Sequence, residues 1–231
     1  MVVGTEMTLQ WSRSFDGCGN HVTSDGHRLH AFAISQNQNA RPFFLPTMTA
    51  TLLSDLAERG PFAVRMADAP LPEGKKPEEG KAYADYVSFT GEDVQVTVRL
   101  DNMWAFPDYE QVIPNGEERV ALVVKKAELQ EAIQACAAFT TKKSRGIRFD
   151  CSGSVLKLSV ITPDVGKVER LMSCQGPDAL TFGLNCRYIA DAVAQASNDC
   201  DYVCLSVKDE KAPISIQEEG FQAVIMPMRV F

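Results

Sequence analysis

All three histidines of the chain and one cysteine, Cys18, His21, His27 and His30, fall within 13 positions near its start. Imidazole and thiolate are the usual ligands of zinc. The spacing C-x2-H-x5-H-x2-H is not a zinc pattern, however, and two of the residues fall on strand-like stretches of opposite direction, which scatters the side chains. Surface histidines are the stronger reading, and no metal is assigned. Asp25 beside His27 offers a carboxylate and an imidazole for acid–base work, but no nucleophile or third group stands near them in sequence. A zinc-dependent enzyme therefore ranks last among the functional readings. A second signal is basic: Lys125, Lys126, Lys142, Lys143 and Arg145 cluster at the two ends of one predicted helix, which reads either as a solvated turn or as a local strip for phosphate. A third is apolar. Met226 and Met228, two apart, share one face of a predicted strand, where plain core packing is the stronger reading of the spacing alone.

The elements that must position these residues form a repeat. A strand at Val120–Val124 precedes a helix at 127–139, whose apolar face is Leu129, Ile133, Cys136 and Ala137. Strands follow at Arg145–Cys151, Val155–Thr162 and Val168–Gln175. The same order returns: a strand at Leu180–Leu184, a helix at 186–197 with Ile189, Val193 and Ala196 on one face, and strands at Tyr202–Val207, Ile214–Gln217 and Phe221–Met226. An earlier unit has a strand at Phe43–Leu45, a helix at 47–58 with Met48, Leu52 and Leu56 spaced by four, and strands at Phe62–Met66, Tyr83–Thr90 and Val94–Leu100. Asp68–Lys81, rich in Pro, Gly, Glu and Lys, is predicted to be an exposed loop. Residues 1–39 fit only the last three strands of a further unit, at Met7–Trp11, His21–Ser24 and Leu29–Ser35. The fold class is thus α+β, with repeated βαβββ units in two domains, 1–117 and 118–231. The first domain is expected to lack its opening strand and helix.

Composition narrows the function. The 231 residues carry a formal charge of -7, so any DNA contact must come from a local basic strip. No apolar run approaches the ~20 residues of a membrane span, and no signal peptide opens the chain. Seven cysteines, an odd number scattered through apolar segments, point to reduced thiols and a cytoplasmic location.

Four segments carry a family resemblance: Thr23–Leu29 (TSDGHRL), Phe106–Pro114 (FPDYEQVIP), Arg145–Arg148 (RGIR) and Val224–Arg229 (VIMPMR). In order and spacing they resemble the bacterial DNA polymerase III beta subunit, the beta sliding clamp, in its second and third domains. The resemblance implies a DNA-clamp-like fold with no catalysis and no cofactor. It also implies an apolar cleft between those domains that takes short peptides of polymerases and repair proteins. Matched residue by residue, the cleft would comprise Ser24, Gly26, His27, Leu29, Pro107, Val112, Val224, Met226, Pro227 and Met228. Ser24 stands where the family usually has Thr.

The departures also set expectations. The family's first domain is absent, so ring closure in the usual manner is unavailable. Three two-domain chains would be needed for a six-domain ring. The predicted helices are poorly basic, and binding of duplex DNA is expected to be weak and sensitive to salt. The chain ends on Phe231, which would lie beside the cleft.

Overall fold

The computed structural model of the protein describes residues 14–15, 20–33, 43–68, 85–100, 109–115, 118–142, 144–163, 165–197 and 199–230. It divides into two compact units. One takes the described residues of Val3–Gly26 and Ala31–Asp108, and the other takes His27–His30 and Tyr109–Phe231.

The second unit is built from two consecutive βαβββ runs. The first is β8 (Val120–Lys125), α2 (Lys126–Ala137), β9 (Gly146–Ser152), β10 (Val155–Thr162) and β11 (Gly166–Gln175). The second is β12 (Leu180–Asn185), α3 (Cys186–Gln195), β13 (Tyr202–Val207), β14 (Ile214–Glu218) and β15 (Phe221–Ile225). Their strands lie in the order β12-β9-β10-β11-β8-β13-β14-β15. The opening strand of each run pairs across to the other, β12 with β9 and β8 with β13, both antiparallel, and β8 also pairs with β11 of its own run. Strand alternation sets the inner face. Ile147, Phe149 and Cys151 of β9 are buried, as are Leu156, Leu158 and Val160 of β10, and Phe149 stacks on Phe182 at 5.0 Å between ring centroids. Helices α2 and α3 pack together on this face through Leu129, Ala132, Ile133, Cys136, Ile189, Ala192 and Val193. The 3.6-residue period places these side chains in one stripe per helix.

Both ends of α3 are closed by side chains. The Asn185 side chain accepts a hydrogen bond from Arg187 N at 3.0 Å and caps the start of α3, a cap that stabilises by about 1 kcal/mol. The Lys126 ammonium donates to Ala196 O at 2.7 Å and Ser197 O at 3.2 Å, just past the other end. There it meets the negative pole of the helix and carbonyls with no intrahelical partner.

The first unit contains β1 (Ser14–Phe15), β2 (Asn20–Ser24), β3 (Arg28–Ala33), β4 (Phe43–Phe44), α1 (Thr47–Ala57), β5 (Ala63–Ala67), β6 (Tyr86–Thr90) and β7 (Gln95–Arg99), although Arg28–His30 belong to the second unit. β4 pairs with β1 as β12 pairs with β9. β5, β6 and β7 form an antiparallel sheet in that order. The core beneath them joins Phe43, Leu53, Val87, Phe89 and Leu100.

One expectation fails here. The spacing of four among Met48, Leu52 and Leu56 predicts the inner face of α1, yet Met48 is 85% and Leu52 47% exposed, while Ala50 and Leu53 are buried. A stripe spaced strictly by four drifts around a helix of 3.6 residues per turn, and the small Ala50 marks the inner side. The expected strand at Met7–Trp11 and most of the loop Asp68–Lys81 lie outside the described residues.

Candidate functional site

The segment His27–His30 and the final strand of the second unit meet through the backbone. Met226 N donates to His27 O at 2.8 Å. Leu29 and Val224 are buried, whereas Met226 is 42% exposed. His30 packs edge-on against Phe221, with ring centroids 5.8 Å apart. Arg28 lies 4.5 Å over the Tyr188 ring and pairs with the Asp191 carboxylate, both on α3. A guanidinium held by a ring face and an anion together is fixed more firmly than one held by a surface ion pair. Arg28, Tyr188 and Asp191 are not among the residues that the sequence marks for the site. The TSDGHRL segment contains Arg28, but nothing in its spacing points to partners 160 or more residues away.

The chain leaves β15 as an extended segment. Met228 N donates to Gly183 O at 2.9 Å, which holds it on β12. Two glycines make room for it. A methyl group at Gly183 would run into Met228 O and Val230 Cγ2, and one at Gly146 would come within 2.6 Å of Val230 Cγ1 and 3.4 Å of the Met228 sulfur. The RGIR and VIMPMR segments thus converge, since Gly146 lies under Met228 and Val230.

Of the predicted peptide-binding residues, His27, Leu29, Val112, Val224, Met226, Pro227 and Met228 belong to the second unit. Val112 ends the 3-10 turn Tyr109–Val112 and is 51% exposed. Ser24 and Gly26 belong to the first unit, where Ser24 Oγ accepts from Gly26 N at 3.2 Å. Gly26 has φ +81°, and a Cβ there would touch nothing, so the glycine supplies a left-handed turn rather than close approach. Pro107 and Phe231 lie outside the described residues.

Among the predicted DNA-binding residues, Lys126 is corrected. Only 8% exposed, it spends its ammonium on the carbonyls beyond α3. The Lys125–Lys126 doublet looks like a solvated pair, but Lys126 sits three and seven positions before Leu129 and Ile133, on the inner stripe. Lys125 is exposed and pairs with Glu128 at 3.4 Å. Lys142 is exposed, Arg145 is half-buried with its backbone O accepting from Cys186 N, and Lys143 lies outside the described residues. Among the described residues, no three His, Cys, Asp or Glu side chains gather as metal ligands, and no helix is long and apolar enough to cross a membrane. Cys18 falls outside them.

Paired βαβββ runs with exchanged opening strands define a class, and the comparisons agree on it. Caulobacter crescentus pol III beta superposes with a TM-score of 0.80 at 20% identity, over 99% of this chain and 61% of that one, so the fold is that of a sliding clamp. A family profile described as "DNA polymerase III beta subunit, C-terminal domain" matches residues 110–229, and the chain belongs to that family. Among curated relatives, the beta sliding clamp of Pseudomonas putida is 30% identical over 129 residues, 54% of this chain and 34% of that protein. That of Escherichia coli K12 is 24% identical over 215 residues, 90% of this chain and 54% of that protein. The chain thus spans between a third and about half of the length of these relatives.

Proposed function

We propose that the protein binds short peptide motifs of DNA replication or repair proteins, and that it acts by binding rather than by catalysis. The site comprises His27, Leu29, Val112, Val224, Met226, Pro227 and Met228. The observation that supports this most is the Met226 N to His27 O bond, which joins two segments far apart in sequence around buried Leu29 and Val224. Exposed Met226 and Val112 offer apolar surface beside polar backbone, the composition that suits a short hydrophobic peptide. Methionine adapts to different side chains at little cost, which suits a site with several partners.

The test is titration of a short Gln-Leu-rich clamp-binding peptide. Met226→Ala should weaken binding about tenfold, and the Met226→Ala, Met228→Ala double variant should weaken it further, with unchanged melting of the single variant. Equal affinity of wild type and double variant would overturn the assignment. Duplex DNA binding, with Lys126 withdrawn, rests on Lys125, Lys142, Lys143 and Arg145. It should be weak and fall steeply with salt.

A further inference from the structure

Cys151 lies near the end of β9 and Cys174 near the end of β11; both are buried, and their sulfurs stand 3.8 Å apart. Their strands are not neighbours, since β10 runs between them. Two turns bring the thiols together. Gly153, at φ +65°, reverses the chain from β9 to β10. Its N donates to Pro177 O at 2.8 Å, Gly176 N donates to Gly153 O at 3.0 Å, and Cys174 N donates to Ser154 O at 2.9 Å. Each thiol also reaches the opposite turn, Cys151 Sγ to Pro177 O and Cys174 Sγ to Gly153 O, both at 3.4 Å. Gly176 leaves the space that the pair needs, because a Cβ there would stand 2.7 Å from Cys151 Sγ.

We propose that Cys151 and Cys174 close into a reversible disulfide that staples the β9–β10 turn to the end of β11 when a small disulfide oxidant, RSSR, is supplied. A disulfide spans ~2.05 Å, so the sulfurs must approach by about 1.8 Å, within reach of side-chain rotation and a small turn adjustment. In the first step one cysteine thiolate attacks RSSR; a protein–S–S–R bond forms and RS⁻ leaves. The second cysteine, its proton passed to solvent, then attacks the protein sulfur of that bond, and the second RS⁻ departs. The two protein thiols lose two electrons, and RSSR is reduced to two RSH. Burial, with the neighbouring Cys151 adding to it, pushes the Cys174 thiol up to about 11. Attack by Cys174 is therefore slow near neutrality and accelerates as pH rises.

The probe is 2-hydroxyethyl disulfide, applied to the full chain in a Cys200→Ser, Cys204→Ser background that removes two exposed competing thiols. After alkylation and trypsin digestion, the peptides Phe149–Lys157 and Leu171–Arg187 should appear joined, about 2 Da lighter than the sum of the two with only Cys186 alkylated. Fragmentation should place the link on Cys174 rather than Cys186. The melting temperature should rise by roughly 5 °C and return on addition of dithiothreitol, and Cys174→Ser should abolish both changes. Recovery of Cys151 and Cys174 only as alkylated or hydroxyethyl-capped residues would overturn the proposal, as would a linked form that melts no higher than the reduced one.

Discussion

Helices α1 and α3 occupy matching places in the repeat, each following a short opening strand and preceding three more, but they differ in what they show to solvent. Counted from their caps, Pro46 and Asn185, Met48 and Leu52 fall where α3 has Arg187 and Asp191. In α3 those positions are polar, and Asp191 is engaged by Arg28. In α1 they are apolar and exposed. The inward positions agree far better: Ala50 matches Ile189 and Leu53 matches Ala192, and all four are buried. Helix α3 packs against α2, whereas no second helix accompanies α1 among the described residues. A repeat of pattern therefore preserves the inner stripe of a helix while leaving its outer face free to diverge.

The difference can be broken or sharpened by substitution. The largest effect is expected at the α2–α3 stripe. Leu129→Ala should destabilise the second unit by about 2–5 kcal/mol in chemical denaturation, and a loss below about 1 kcal/mol would mean that the stripe is not its core. Lys126→Met keeps the stem but leaves the carbonyls beyond α3 without their donor, and should cost about 1–3 kcal/mol. Were Lys126 instead facing solvent, the change would be neutral.

A smaller effect is expected at Asp150. Burial raises its carboxyl pKa, but the Thr181 hydroxyl, Arg148 and Lys157 outweigh that and hold it below the usual aspartate value. A carboxylate with a lowered folded pKa adds stability above its unfolded value, and loses that contribution as pH falls through the folded one. Asp150→Asn should therefore be slightly less stable than wild type at pH 7, and the gap should narrow below about pH 4. A gap that stayed constant down to pH 2 would contradict the assignment. At the other end of the scale, Met48→Lys and Leu52→Lys should each change stability by less than about 0.5 kcal/mol. A loss above 1 kcal/mol would show that the outer face of α1 is covered in solution.

Much of the fold was legible because amphipathic periods are local. The stripe Leu129, Ile133, Cys136 predicts α2 to within two residues at either end, and alternation in β10 predicts Val155–Thr162 without error. Burial was less legible where residue size misleads. Large Met48 and Leu52 outweigh small Ala50 in the pattern, although Ala50 and Leu53 are the residues that face inward. The charge of Lys126 predicts a solvated residue, although its spacing to Leu129 and Ile133 places it on the inner stripe. At the candidate site, the motif segments name Met226 and His27 but not the hydrogen bond that joins them. The partners of Arg28 come from α3, and no local pattern encodes a contact across that much chain.

The exchange of β8 and β12 has a consequence for how the second unit comes apart. Because β12 is bonded to β9 of the first run and β8 to β13 of the second, separating the halves breaks both pairings and strips β12 from its sheet. A nick in the 176–179 connection should leave two pieces that stay associated and denature together, so the unit melts as one block rather than in two stages.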